Sequence, residues 1–121
     1  MLKDSINDLD RKWQKIGILS AIEGEVLRMW RDRIGLFKAV YDGRIVYIGM
    51  ARERERGGIG KRICDFLRSS KSARSHPAGE KLYGNSARVE IWGLGIKKRS
   101  DILKLRAAFI KHYIPEWNCN K

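Results

Sequence analysis

The apolar positions in the first part of the chain fall at helical spacing. Leu2, Ile6, Leu9, Trp13 and Ile16 recur at steps of four, three, four and three, which draws one stripe along an amphipathic helix. Ser20-Ala21-Ile22-Glu23 then has the form of a capping box, and Ile22, Val26, Met29 and Trp30 carry a second apolar face to about Arg33. Residues 1–34 therefore read as an N-terminal helical extension ahead of a domain spanning 35–121. Its stripes either cover the core of that domain or present Arg28, Arg31 and Arg33 as a second DNA-contacting surface.

At Gly35 the period changes. Leu36, Phe37, Val40, Tyr41 and then Ile45, Val46, Tyr47, Ile48 are β-branched, aromatic or aliphatic residues interrupted by Asp42-Gly43, which predicts a β-hairpin over Gly35 to Met50. Val89, Ile91 and Trp92, between Gly84-Asn85 and Gly93-Leu94-Gly95, predict a third strand over Ala87 to Leu94. Between them, Ile59, Ile63, Phe66 and Leu67 predict a helix over Gly60 to Ser69. Arg52-Glu53-Arg54-Glu55-Arg56 reads as a solvated charged loop, and Ser69 to Glu80, with His76-Pro77, as a polar loop. Ser100 opens a last helix carrying Ile102, Leu105, Phe109 and Tyr113 on one face, stopped by Pro115. The expected class is α+β, a small antiparallel sheet flanked by helices.

Composition narrows the partner. A chain of 121 residues supports one core rather than two domains. No stretch approaches the roughly 18 to 20 apolar residues of a membrane span. The N-terminus lacks the apolar run of a secretory signal, and Cys64 and Cys119 have no metal-site spacing, so a reducing cytoplasm is expected, at the nucleoid if DNA is bound. A formal net charge of +12 attracts polyanions, because each neutralised phosphate releases condensed counterions. Nucleic acid is the expected partner, DNA first and RNA second.

The pattern Gly35-Leu36-Phe37, nine residues, Tyr47-Ile48-Gly49, then Arg62 on a helix and a late Pro115-Glu116-Trp117-Asn118, resembles the GIY-YIG nuclease superfamily. The resemblance spans Gly35 to Asn118 and implies a three-stranded antiparallel sheet flanked by helices, with metal-dependent cleavage of DNA. It implies that Tyr47 orients or activates the attacking water, that Arg62 stabilises charge on the phosphoryl oxygens, and that Asn118 supports the site. Arg62 shares a helical face with Ile59 and Phe66 and so is expected to point inward.

Three departures set this chain apart from that pattern. Phe37 stands where the first motif has tyrosine, and Phe66 stands where a histidine or tyrosine often follows the arginine. His76 either substitutes for that missing proton-transfer group or is a solvated loop residue. Counting back from Pro115 and Asn118, the metal-binding glutamate falls on Arg106, whose guanidinium has only donors and cannot ligate a cation. Arg106 either lays its stem on the apolar face and snorkels, or binds a DNA phosphate where the metal would lie, or is bypassed by another carboxylate such as Glu90.

Lys61, Arg62, Arg68, Lys71, Arg74 and Lys81 make the arginine helix and its loop a backbone-tracking surface. Gly57-Gly58-Ile59-Gly60-Lys61 lacks the spacing and hydroxyl of a phosphate-binding loop. The reading is thus a DNA-binding domain of GIY-YIG nuclease type. With Mg²⁺ or Mn²⁺ held by an unidentified carboxylate it hydrolyses phosphodiesters; without one it binds only. The alternative is a basic RNA- or protein-interaction domain that keeps the fold alone.

The hairpin carries a geometric demand. A plain two-residue Asp42-Gly43 turn pairs Phe37 with Ile48 and puts Phe37 and Tyr47 on opposite faces. A shared site needs both on one face. The expected solution is a type I turn through Tyr41-Asp42-Gly43, with Gly43 left-handed as a bulge, pairing Phe37 with Tyr47.

Overall fold

A computed structural model describes residues 2–67 and 77–118. Helix α1 is Leu2–Leu9, strand β1 Gln14–Ile18, helix α2 Gly24–Met29, strand β2 Gly35–Tyr41 and strand β3 Arg44–Ala51. Helix α3 is Gly58–Asp65, helix α4 Pro77–Gly84, strand β4 Val89–Gly95 and helix α5 Arg99–Tyr113. Short 3₁₀ turns occupy Leu19–Ala21, Arg54–Arg56 and Glu116–Asn118. No helix among the described residues is long and apolar enough to cross a membrane.

The four strands form one antiparallel sheet in the order β1-β4-β2-β3. Strand alternation divides the core in two. Phe37, Ala39, Val46, Tyr47, Val89 and Ile91 face a layer containing Leu27 of α2, Ile59 and Ile63 of α3, and Leu82 of α4. Leu36, Ile48 and Leu94 face the opposite layer, built by Ile6 of α1 and Ile102, Leu105 and Phe109 of α5. The sheet is thus covered on both faces.

The sheet has four strands rather than the expected three, and residues 1–34 are not wholly helical. The stripe that suggested one long helix serves two different layers: Ile6 and Trp13 enter the layer of α5, whereas Ile16 enters that of α3. The chain leaves the helix after Leu9, crosses the sheet plane and pairs with β4 through Gln14 to Ile18, with a bulge between Lys15 and Gly17. The capping box does not form either. Ser20 lies in a 3₁₀ turn with its amide donating to the Ser86 carbonyl at 3.0 Å, and Glu23 precedes α2 without a side-chain cap.

Within the nuclease-like part the elements keep the expected order with shifted ends. The arginine helix runs Gly58–Asp65, and its glycines have a packing role. A Cβ on Gly58 would lie 2.3 Å from the Arg33 carbonyl oxygen, and one on Gly60 would lie 2.4 Å from that of Leu27. The Ile59 and Gly60 amides donate to the Arg33 and Trp30 carbonyls at 2.9 and 3.1 Å, so the start of α3 is closed by the end of α2. Of the polar loop expected over Ser69 to Glu80, residues 77–80 are helical instead, because α4 begins at Pro77, a residue suited to a first helical turn, and the rest lies outside the described residues. Helix α5 starts at Arg99 with no side-chain cap from its preceding Lys98, so Ser100 is inside the helix rather than capping it.

The hairpin meets the geometric demand by a different route. Asp42 and Gly43 both have positive φ, 55° and 76°, and Tyr41 pairs with Arg44 across them, the signature of a two-residue type I′ turn. The extra residue is Val46, where the register shifts between Ala39↔Tyr47 and Val40↔Ile45. Phe37 therefore pairs with Gly49 rather than Tyr47. The strand bulge still returns Tyr47 to the face of Phe37.

Candidate functional site

Beneath α3, Phe37, Tyr47 and Phe66 form an aromatic trio with centroid separations of 6.0 Å, 5.8 Å and 6.2 Å, all within the range of favourable ring contacts. Gly49 makes that packing fit. A Cβ there would lie 2.3 Å from the tip of the Phe37 ring, so the glycine of the second motif is the floor on which the aromatic of the first motif rests. Phe37 is fully buried and Phe66 nearly so, which leaves the Tyr47 hydroxyl as the trio's one proton-bearing group.

Strand β3 is the outer strand of the sheet, and its free edge is closed by two side chains. The Ile48 amide donates to Asn118 Oδ1 at 2.7 Å, while Asn118 Nδ2 donates back to the Ile48 carbonyl at 3.0 Å. A side-chain amide here imitates a neighbouring strand, satisfying both backbone groups that an edge would expose. Arg106, half-buried on α5, donates from Nε to the same carbonyl at 3.3 Å. Its guanidinium also hydrogen-bonds the Tyr47 side chain. Of the three readings of Arg106, simple snorkelling does not describe it, because its head is fixed between Ile48 and Tyr47.

Burial pushes the Tyr47 phenol above its usual range, opposed by the positive charges of Arg106 and Arg62 and by the Arg106 hydrogen bond. Tyr47 is accordingly protonated at neutral pH. Arg62 is exposed rather than turned inward, because Ile59, Ile63 and Phe66 fill the inner face of α3. It lines an open cleft of about 520 Å³ together with Arg52, Arg56, Lys61 and Arg99. Two carboxylates also line the cleft and both are paired: Glu53 with Arg56 at 3.0 Å and Arg99 at 3.7 Å, Asp65 with Lys61 at 2.9 Å.

The structure thus brings together Phe37, Tyr47, Asn118 and Arg106, with Arg62 and Lys61 on the adjoining cleft. Glu90 is elsewhere. It alternates with Val89 and Ile91 on β4, so it faces the layer opposite Tyr47, where it accepts from Trp92 Nε1 at 3.2 Å and lies 3.7 Å from Lys15 Nζ. It cannot supply a metal ligand beside Tyr47. Arg68, Lys71, Arg74 and His76 lie outside the described residues.

The residues present do not fit a divalent cation held by protein carboxylates. Arg106 offers donors to neighbours that accept, and among the described residues no three His, Cys, Asp or Glu side chains converge. Sequence reasoning missed Arg52, Arg56 and Arg99 as cleft residues. The density of charge in the run Arg52 to Arg56 was the available signal, but the 3₁₀ turn at Arg54–Arg56, which sends Arg54 to a different cleft from Arg52 and Arg56, was not legible in it.

Among solved structures, the chain is similar to the GIY-YIG N-terminal endonuclease domain of UvrC from Thermotoga maritima. The form bound to its catalytic magnesium aligns with a TM-score of 0.57 and 17% identity, over 78% of this chain and 93% of that chain. A point mutant bound to the catalytic divalent cation aligns with a TM-score of 0.57 and 18% identity, over 79% of this chain and 93% of that chain. No family model and no curated protein matches. The chain has the GIY-YIG endonuclease fold, with a four-stranded antiparallel sheet and five helices among the described residues.

Proposed function

We propose that this protein binds DNA through the cleft beside Tyr47 and does not hydrolyse it. The observation that carries the reading is the placement of Arg106, whose guanidinium holds the Ile48 carbonyl and the Tyr47 side chain where the resemblance calls for a metal-binding carboxylate. The arrangement keeps what phosphate binding needs and lacks what turnover needs. Arg62 and Arg106 supply permanent charge and planar forks suited to phosphate oxygens, and Tyr47 supplies a hydroxyl donor. Phe37 and Phe66 supply no proton-transfer group. The net charge of +12 adds sequence-independent affinity.

The test is a binding and nicking assay on linear, nicked and supercoiled DNA with Mg²⁺ or Mn²⁺, using wild type, Arg62→Ala and Arg106→Gln. Wild type is expected to bind and leave every substrate intact, and each variant to bind severalfold more weakly, with a salt slope reduced by about one per lost phosphate contact. Wild-type nicking that disappears in Arg62→Ala overturns the non-hydrolytic reading. Equal or tighter binding to RNA across the salt series transfers the reading to an RNA-interaction domain.

A further inference from the structure

A second basic cleft lies next to the first, and it is built partly by the segment that contains β1 and α2. Its volume is about 390 Å³, and Lys12, Arg33, Arg54 and Lys97 line it against a single acid, Asp32. All four cations are exposed. Two have their guanidinium forks anchored: Arg54 donates from Nε to the Asp32 carbonyl at 2.9 Å, and Arg33 donates from Nη1 to Gln14 Oε1 at 3.0 Å while lying 4.5 Å from the Trp30 ring centre. Anchoring one edge of a fork lowers the entropy lost when its remaining N–H donors meet an anion.

The two clefts share one wall. Residues 52–57 follow β3 and residues 96–98 follow β4, and both connections leave the same end of the sheet, where Gly35 pairs with Ala51 and Gly95. Arg52 and Arg56 of the first connection and Arg99, which opens α5 directly after the second, line the first cleft, while Arg54 and Lys97 from the two connections line the second. Glu53 fastens the ridge between them, bridging Arg56 at 3.0 Å and Arg99 at 3.7 Å. The Gly58 amide donates to the Glu53 carbonyl at 3.2 Å, and the Ile96 amide to the Ile34 carbonyl at 2.8 Å, so backbone hydrogen bonds hold both connections to the body of the domain.

A fixed ridge with a basic trough on each side has the form of a groove reader. A duplex presents two lines of phosphate flanking a groove of roughly 6 or 12 Å, whereas a single strand presents one line. We infer that this protein binds double-stranded DNA astride the ridge formed by residues 52–57 and 96–98, with one backbone in the cleft of Arg62 and the other in the cleft of Arg54 and Lys97. The segment preceding β2 is then part of the binding surface as well as of the core. The inference rests on the proposal that the first cleft binds DNA, and it adds the strandedness of the partner and a second contact surface.

The experiment uses Lys12→Gln/Lys97→Gln in the full chain, because among the described contacts neither lysine side chain makes a hydrogen bond or ion pair, and the Lys12 amide bond to the Leu9 carbonyl is kept by the substitution. Arg54→Gln serves as a second, independent probe of the same cleft. Affinities for a duplex and for one of its strands are measured across a salt series, with thermal melts of each variant. The double variant is expected to keep the wild-type melt and to lower the salt slope on duplex by about two, while the slope on the single strand stays unchanged. Arg54→Gln is expected to lower the duplex slope by about one. An unchanged duplex slope in both variants, or an equal loss on the single strand, overturns the two-cleft arrangement while leaving DNA binding by the first cleft intact. A wild-type chain that binds no DNA overturns both.

Discussion

The two faces of the sheet each set a titratable side chain among aromatic rings, Tyr47 buried and Lys38 half-buried, and they balance its charge in opposite ways. On one face Tyr47 sits in the trio with Phe37 and Phe66, and its neighbouring charges, Arg106 and Arg62, lie toward the free edge of β3 and the open cleft. On the other face the Lys38 ammonium lies 4.8 Å from the Trp13 ring centre and 5.5 Å from that of Trp92. Burial lowers its pKa, and the Asp10 charge opposes that shift. Asp10 is already engaged, accepting from Trp13 Nε1 at 3.0 Å through one oxygen and from the Tyr113 hydroxyl through the other. The Lys38 cluster therefore ties the end of α1 to α5, with the Asp10 carboxylate as its own counter-charge. The Tyr47 cluster instead has only cations, Arg106 and the exposed Arg62, among the charges that act on it, and such a cluster gains from an incoming anion.

If that contrast is right, the largest effect of a single change should come at the clamp that holds Tyr47-Ile48-Gly49 in place. Asn118→Ala removes both hydrogen bonds to Ile48, a fully buried residue on the outer strand, and opens a small cavity as well. The Ile48 carbonyl keeps its bond from Arg106, so the amide is the group left unsatisfied, at a cost of about 1–3 kcal/mol less whatever entering water recovers. Urea unfolding should show that loss with an unchanged m-value. A loss below about 0.5 kcal/mol would mean that Asn118 is a surface residue of the site and that the edge is held by Arg106 alone.

Next in size is Gly49→Ala. Overpacking against the Phe37 ring should cost about 1–3 kcal/mol, and Phe37→Leu in the same chain should recover part of it. Additive losses in the double variant would show that the ring and the glycine are not in register, and the aromatic trio would lose its explanation.

These two positions also mark what the sequence could and could not convey. The aromatic and β-branched runs, the Asp42-Gly43 turn and the spacing of Phe37, Tyr47, Arg62 and Asn118 were enough for the hairpin and the fold, since each reflects local backbone preference or strand alternation. The requirement that Phe37 and Tyr47 share a face was also legible. Its solution at Val46 was not, because a bulge in a strand leaves no glycine or proline marker when the extra residue is an ordinary valine. Strand β1 was hidden for a related reason. Trp13 and Ile16 satisfy helical spacing, yet they belong to layers on opposite sides of the sheet, a fact fixed by pairing with β4 far along the chain. The second cleft is wholly tertiary, assembled from residues 12–34, 54 and 94–97, so no local window contains it.

The smallest effect is the one that tests the contrast between the faces most directly, because it has a sign. Tyr47 has a folded-state pKa above its usual value of 10.0. The folded chain therefore holds that proton more tightly than the unfolded chain, and the stability it contributes is full below pH 10 and is lost as pH rises through the folded value. Lys38 has a folded-state pKa below its usual value of 10.5. There the unfolded chain holds the proton more tightly, so stability rises with pH up to about that value. Tyr113, which burial, the Asp10 hydrogen bond and the Asp10 charge also raise, has the sign of Tyr47 although it shares the face of Lys38, so only differences at single sites are informative. Unfolding free energies measured from pH 8 to 11 should fall less steeply in Tyr47→Phe than in wild type, and more steeply in Lys38→Met. Parallel curves for all three proteins would show that neither side chain feels its surroundings differently after folding. The same sign for both variants would remove the distinction between an edge that can accept an anion and a cluster that holds its own counter-charge.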